Sequence, residues 1–443
     1  MKISILTLFP QLYESFLNTS LMKKAGEKGV VSYNLHNLFA LCGPHERIDG
    51  PTFGHGAGVV LRPEIIEKGI EVLEQQSGPA FKIFFSPHGK KLDQDLLKEL
   101  YTKISAKGHV MLLPARYEGM DSRVEDYYAD AVISVGDLVL MGGDVPAMVF
   151  LEGFMRLIPG VVGKQMSVER ESFSNAFVDY PEYAAPVTWK GIAVPEVLRS
   201  GHHQEIENWR QDQAAQRTVY QHFDWLRTHT TTPKQQELVK KYIPAHYVVL
   251  MHTQVMLPGG QEGTTSVTSI DIHDIARSAK TFGLKNYFIV TPLADQQNIV
   301  QTLLDFWQKG NGVSYNFQRH EALQEAALKE SLQAVIDAIE VQEGKKPILI
   351  ATSAKKSESD KLISFDDQAV VWQEKRPVLF ILGTGHGLSP ELLEKCDYIL
   401  LPIEGFSDFN HLSVRSAAAI IFDRWLGVNL RSGCSQTENL KKP

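Results

Sequence analysis

Three stretches of the chain combine residue types and spacings that can do chemistry. Gly54-His55-Gly56-Ala57-Gly58 lets a backbone approach a ligand closely, because glycine has no Cβ and tolerates positive φ; the same cluster also suits a tight surface loop. No Gly-Lys-Ser/Thr follows it and it lacks the spacing of a dinucleotide fold, so nucleoside triphosphate chemistry is disfavoured. Val135-Gly136-Asp137-Leu138-Val139-Leu140-Met141-Gly142-Gly143-Asp144-Val145-Pro146-Ala147 is more specific. Two glycine bends flank a short apolar run that leads into a helix. The resulting wall of backbone N–H and C=O groups suits a planar base better than a triphosphate, while a hairpin turn at Gly142-Gly143 is the plainer alternative. Downstream, Arg156 ends that helix and Ser167-Val168-Glu169-Arg170-Glu171-Ser172-Phe173 follows. Such a run commonly forms a solvated loop with paired charges. Beside a pocket, its carboxylates can act as general base and the arginine can stabilise a developing negative oxygen.

The elements that must position these residues follow from periodicity. Short apolar runs at 3–9, 80–86, 110–114 and 131–135 alternate with helix-period stretches, an α/β pattern over 1–160. Residues 161–180 are polar and read as an interdomain linker; 181–243 carries amphipathic segments such as Glu205 to Arg210 and reads as a small helical domain. Tyr242-Ile243-Pro244 marks a boundary, beyond which strands recur at 247–250, 287–290, 347–351, 378–382 and 398–401, a second α/β unit over 244–430. Residues 431–443 read as a frayed tail. A prior of about 150 residues per domain likewise predicts about three compact units.

Composition narrows the function. Only Cys42, Cys396 and Cys434 occur, without a C-x-x-C, so neither a disulfide framework nor a zinc ribbon is built, and a reducing cytoplasm is the natural location. His252, His273 and His411 form no metal-ligand spacing, so no metal site is expected from the residues. No apolar run approaches the length of a membrane span. With a net charge of −7 the chain is no generic phosphate binder, and neither DNA nor a membrane is expected as partner, although a local groove can still grip RNA.

The two α/β units end alike. Ala129 to Gly160 and Cys396 to Gly427, each 32 residues, run through an Asp, an apolar strand, a glycine-containing loop and an apolar helix. Each follows a strand and a glycine-bearing loop, Arg116-Tyr117-Glu118-Gly119-Met120 or Gly383-Thr384-Gly385-His386-Gly387-Leu388. Chance can produce such a repetition, and two related α/β domains would too.

Over about the first 240 residues the ordered set Leu8-Phe9-Pro10, the loop at 54–58, Ser86-Pro87-His88-Gly89-Lys90-Lys91-Leu92-Asp93-Gln94, Arg116-Tyr117-Glu118-Gly119, Val135 to Ala147 and Arg156-Leu157-Ile158-Pro159-Gly160 resembles the bacterial tRNA (guanine-N1)-methyltransferases of the TrmD type. The resemblance implies a SPOUT fold, an α/β domain whose C-terminal part is threaded into a trefoil knot, an exception to unknotted topology. It implies S-adenosyl-L-methionine in that knot, against Ser86, Pro87, Ala115, Val135, Gly136, Asp137, Leu138, Val139, Leu140, Gly142, Gly143 and Pro146. The guanosine at tRNA position 37 would be flipped toward Asp49, Gly58 and Ser172. Guanine N1 carries a proton at neutral pH and is a poor nucleophile until that proton leaves. By resemblance Glu171, standing where the family has Asp, takes it and Arg156 compensates charge on O6; Glu169, two residues earlier, is the rival base. The resemblance also implies Mg2+, a cytoplasmic tRNA-modifying enzyme, and a homodimer in which the Glu171 segment reaches the partner's knot.

A second resemblance covers about 245 to 427. Asp271-Ile272-His273-Asp274-Ile275-Ala276-Arg277-Ser278-Ala279, Gly383 to Leu388 and Leu412-Ser413-Val414-Arg415-Ser416-Ala417-Ala418-Ala419 resemble the three motifs of another SPOUT methyltransferase family. That implies a second donor site at Gly383, Thr384, Gly385, Gly387, Leu401, Ile403 and Leu412, with Arg277 as catalytic candidate; on spacing alone Arg277 is a helix-surface charge paired with Asp274. The expected architecture is thus two knotted SPOUT domains separated by a small helical domain. The expected activity is methylation of N1 of guanosine 37, with methylation of RNA at an unknown site by the second half. The alternative for that half is a catalytically silent donor-binding, dimerisation or RNA-holding module.

Overall fold

Parallel strands covered on both faces need near-continuous apolar runs, and the first part of the chain supplies them. In the computed structural model, β1 (Lys2–Thr7), β2 (Ser32–Asn37), β3 (Phe81–Lys91), β4 (His109–Pro114) and β5 (Ala131–Ser134) form one sheet in the order β2-β1-β4-β3-β5, every pairing parallel. Central β4 is buried throughout, whereas edge strand β2, Ser-Tyr-Asn-Leu-His-Asn, is not. Helix α1 (Gln94–Lys107) starts where the Asp93 side chain accepts the Leu96 N–H at 2.8 Å and stops at Gly108, φ +70°. Helix α2 (Asp144–Leu157) buries Ala147, Phe150, Leu151, Phe154 and Met155 in one core with Ile83, Phe85, Leu97 and Leu100.

The described residues are 1–54, 56–162, 171–356 and 358–429. His55, the rival base Glu169, Cys434 and the expected tail at 431–443 lie outside them. The chain divides into two compact units, Met1–Ser174 and Asn175–Pro443.

The second unit is built on β6 (His246–Met251), β7 (Asn286–Val290), β8 (Ala326–Lys329), β9 (Ile348–Thr352), β10 (Leu362–Ile363), β11 (Val378–Gly383) and β12 (Tyr398–Leu400), in the order β8-β7-β6-β11-β9-β12-β10, again all parallel. Its inner five strands repeat the connectivity of the first sheet, with β8 and β10 added at the edges. The parallel extends to single bonds. The Lys82 N–H on β3 donates to the Asp130 carboxylate at 2.8 Å and the Asp130 N–H to the Lys82 carbonyl at 3.0 Å; Leu349 on β9 and Asp397 make the same two bonds at the same distances. The 32-residue likeness read from the sequence is therefore a likeness of structure.

The helical stretch departs from expectation. In place of a separate domain at 181–243 behind a linker at 161–180, Ala176 and Phe177 join Ala214, Ala215, Val219 and Leu226 in the same core as Val248, Leu250, Trp372 and Trp425. The reason is elementary: helix α3 (His203–Gln221) has an apolar stripe that must be covered, and the second α/β core provides the cover. Phe223 packs edge-on to Trp372 at 4.8 Å. Arg227 donates to the carbonyls of Asp423, Arg424 and Gly427 at 2.7, 2.9 and 2.9 Å, closing the C-terminus of helix α5 (Val414–Leu426). Beneath lies His246: Nδ1 donates to the Pro244 carbonyl at 2.7 Å, and Nε2 accepts the indole N–H groups of Trp372 and Trp425 at 3.2 and 3.1 Å. Burial lowers its pKa to about 4. Among the described residues no helix is long and apolar enough to cross a membrane.

Candidate active site

Open parallel sheets bind ligands beyond the carboxyl ends of their strands. In the first unit a cavity of about 350 Å³ lies there, beyond β3, β4 and β5. The register of β3 shifts between Phe85 and Lys90, both opposite Ile133, and this bulge lifts Ser86, Pro87 and His88 out of the ladder onto the cavity wall. A Cβ at Gly89 would stand 2.7 Å from the Ile133 backbone, so the bulge needs glycine. The opposite wall joins two bends: the Gly143 N–H donates to the Ala115 carbonyl at 2.7 Å, and a Cβ on Gly143 would lie 2.7 Å from the Ala115 nitrogen.

The charged groups around this cavity are tied together. Arg116 Nε donates to Asp144 Oδ2 at 2.7 Å, and the guanidinium lies 4.8 Å from the Phe9 ring centre. Asp144 is 1% exposed and also accepts from Thr7 Oγ1 at 2.6 Å and Tyr13 Oη at 3.2 Å. Burial first, then the neighbouring Asp144 charge, pushes the Tyr13 hydroxyl far up, so it serves as a donor. Ser86 Oγ, His88 Nδ1, His88 Nε2 and Glu125 Oε1 form a chain with contacts of 2.7 and 2.6 Å.

Every residue expected to touch a donor in the first unit lines this cavity except Asp137, whose exposed carboxylate pairs with Lys91 at 3.2 Å. Asp49 and Gly58 sit on the hairpin Asp49–Pro51 and Val59–Leu61. Gly58 abuts the cavity residue Glu118, whose side chain a Cβ would approach to 2.6 Å, and Asp49 stands farther along, held by Arg47 at 2.8 Å. Arg156 and Glu171 are ion-paired, Arg156 Nη2 to Glu171 Oε1, with Ser172 next in the chain. Neither Arg156 nor Glu171 lines the cavity. Leu138, Val139, Leu140 and Met141 present an exposed apolar rim.

The second unit holds a cavity of about 460 Å³ at the matching place beyond β11 and β12. Gly383, Thr384, Gly385, Gly387, Leu401, Ile403 and Leu412, the residues expected there, all line it. The glycine loop is pinned to Met256 by two backbone bonds of 2.9 Å; Gly385 has φ +59° and a Cβ there would stand 2.9 Å from the Met256 carbonyl. Arg277 is not on the wall. Asp274, its expected partner on helix α4 (Ser269–Thr281), lies 3.6 Å from Arg415 Nε, and Arg415 Nη1 donates to Asp271 Oδ1 at 3.3 Å. Asp271 and Arg415 both line the cavity. Behind Asp271, His252 is fully buried with Nε2 unpartnered among the described residues, and burial, opposed by the Asp271 charge, lowers its pKa to about 4.

Arg116, Asp144, His88 and Arg415 stand inside the motifs but carry no assigned role in sequence, because the charged partners that tie them to the sites lie 28, 37 and 144 residues away. Both cavities offer an adenosine-bearing donor backbone and apolar groups with clearances that only glycine leaves, beside charged side chains such as Arg116 and Glu118 in the first and Asp271 and Arg415 in the second. Among the described residues no group of three or more His, Cys, Asp or Glu side chains could hold a metal ion, so the Mg2+ implied by resemblance finds no protein ligand set of that kind.

Residues 1–228 match the family model described as tRNA (guanine-1)-methyltransferase TrmD, and residues 245–427 match that described as SAM-dependent RNA methyltransferase. Fold, cavities and these matches define a methyltransferase with two topologically equivalent α/β halves. A protein of Nitratidesulfovibrio vulgaris named tRNA (guanine-N(1)-)-methyltransferase is 39% identical over 433 residues, covering 96% of this chain and 99% of its own length. One of the same name from Thermus thermophilus is 41% identical over 220 residues, 49% of this chain and 89% of that protein. The crystal structure of tRNA (m1G37) methyltransferase from Aquifex aeolicus is 32% identical, covering 47% of this chain and 87% of that one, with a TM-score of 0.40. The chain belongs to the tRNA (guanine-1)-methyltransferase TrmD family.

Proposed function

We propose that the chain transfers the methyl group of S-adenosyl-L-methionine to N1 of guanosine 37 in tRNA at its first cavity, and that its second cavity binds the same donor to methylate RNA at a site of its own. The observation that carries this reading is the pair of glycine-walled cavities at equivalent ends of two equivalent sheets, each within a methyltransferase family match. In this reading each half is a SPOUT domain with a trefoil knot around its cavity, and the enzyme works in the cytoplasm.

When bound, the donor supplies an electrophilic methyl group that needs no activation. In the first cavity it would be held by Ser86, Pro87, Ala115, Val135, Gly136, Leu138, Val139, Leu140, Gly142, Gly143 and Pro146, through main-chain groups and apolar contact. What needs help is the acceptor. Glu171 takes the N1 proton and Arg156 offsets the negative charge that moves onto O6; their ion pair keeps both groups close enough to serve one base. Asp49, Gly58 and Ser172 hold the flipped guanine. Because Arg156 and Glu171 are off their own cavity wall and Leu138 to Met141 is an exposed apolar rim, we assign the active enzyme as a homodimer in which this pair serves the partner's cavity.

Two tRNA transcripts differing only in G or A at position 37, incubated with the full chain and donor and digested to nucleosides for mass spectrometry, test the proposal. 1-Methylguanosine from the G37 transcript alone is expected. Its absence with folded, donor-bound protein refutes the assignment. Mixed dimers of Glu171→Ala and Gly143→Val chains test the shared site, because only there does an open cavity on one chain face an intact pair on the other: activity regained after subunit exchange supports it, and none despite verified exchange counts against it.

A further inference from the structure

The second cavity has walls suited to one end of the donor only. Gly383, Leu400, Leu401, Ile403, Val414 and Ile421 offer backbone and apolar contact to an adenosine and a thioether. The donor's other end is an α-amino acid zwitterion, and burying an ammonium beside a carboxylate requires partners of both signs. Among the described residues, the cavity wall provides them at one place. Asp271, on the first turn of α4, and Arg415, on the first turn of α5, meet on the wall at 3.3 Å.

Resting on the reading of this cavity as a donor site, we infer that Asp271 and Arg415 together read the amino acid end of the donor, Arg415 receiving its carboxylate and Asp271 its ammonium. Arg415 touches acidic groups at 3.3 and 3.6 Å, longer than the roughly 2.7–2.9 Å of tight charge-assisted bonds, so its five-donor fork keeps capacity for another carboxylate. Asp271 accepts from Thr268 Oγ1 and Arg415 and has lone pairs left for an ammonium. An arriving zwitterion completes a ring of four alternating charges without separating the existing pair. Lys355 is another cation on this wall, but it offers a carboxylate no acidic neighbour for the ammonium attached to it. Arg277, off the wall, takes no part.

The test compares S-adenosylhomocysteine with 5′-methylthioadenosine, which lacks the amino acid, by calorimetry on the full chain carrying Gly143→Val to close the first cavity. Should that variant fail to fold, the same titrations on the otherwise unsubstituted chain, fitted to two sites, give the answer, because only the second site's isotherm changes with Arg415. The second cavity is expected to favour S-adenosylhomocysteine by about 10- to 100-fold. Arg415→Met and Asp271→Asn should each weaken S-adenosylhomocysteine by about tenfold and leave methylthioadenosine within about twofold; Lys355→Met should change neither. Equal affinity for the two ligands, or equal losses for both in Arg415→Met, overturns the inference while leaving the donor site standing. Failure of both ligands to bind the folded chain's second cavity removes the donor-site reading itself, and the inference with it.

Discussion

Asp144 is the point at which the first cavity is anchored to its sheet, and replacing it with Asn isolates what its charge does. The carboxylate is 1% exposed and Arg116 22% exposed at the side chain, so both sit where water screens poorly. Asn keeps the shape and can still accept from Thr7 or Tyr13, but it leaves the Arg116 guanidinium without its counter-ion. Breaking a buried pair on one side costs about 3–5 kcal/mol. Because part of the hydrogen bonding survives, the lower end applies, about 3 kcal/mol. For a unit of this size a change of 1 kcal/mol moves the midpoint by about 2–4 °C, so calorimetry of the full chain should show the first unit's transition falling by about 6–12 °C and the second unit's transition unmoved. Arg116→Met combined with Asp144→Asn leaves no stranded charge and should recover at least half of the loss. A single-variant loss under about 1 kcal/mol, or a double variant as unstable as the two singles summed, would refute the anchoring argument.

Gly143→Ala places a Cβ 2.7 Å from backbone that cannot swing aside, so S-adenosylhomocysteine affinity at the first cavity should fall about 10- to 100-fold by calorimetry; wild-type affinity would contradict the close-approach reading. Glu171→Gln should slow single-turnover methyl transfer to tRNA by about 10²–10⁴-fold without changing donor affinity; a loss confined to affinity would move the base elsewhere. Arg227→Met removes three bonds to helix-end carbonyls and should destabilise the second unit by about 2–4 kcal/mol in urea melts, an unchanged midpoint being the contrary result. His246 has its folded pKa lowered from 6.5 to about 4, so the unfolded chain takes up the proton first: stability is complete above pH 6.5 and should decline as pH falls toward 4, at up to about 1.4 kcal/mol per pH unit. His252 acts in the same direction, and a second-unit melting point flat across that window would show that neither imidazole is sealed off.

The strands of both sheets that lie between neighbours were legible because each is a short apolar run, as in Val110 to Pro114 or Val378 to Leu382. The sheet strands that escaped notice are all at edges: β2 carries polar residues, β8 is the short Ala326–Lys329 and β10 is only Leu362–Ile363, and none of these patterns distinguishes a strand from a loop. Glycine loops disclosed both cavities, since a backbone approach is a local property. The resemblance puts Asp137 on the donor wall with the rest of 135–140, yet its side chain on a bend turns outward to Lys91. The motif makes Arg277 a catalytic candidate, but it does not disclose that the arginine on the cavity wall is Arg415, which meets Asp271 from 144 residues away. Such meetings are products of topology, and one sequence does not disclose them.

The seam of this molecule does not coincide with the border between its two family matches. The first match ends at 228 and the second begins at 245, but the break in packing falls at 174 and 175. Residues 175–228 fall within the first family match and, in packing, within the second unit. Cutting the chain near 243 would tear Ala214, Ala215, Val219 and Leu226 from the tryptophan-lined core that covers them and leave a raw apolar stripe on one fragment and its imprint on the other. In packing, the helical layer at 175–228 belongs with the second sheet, so a cut near 243 divides a single core.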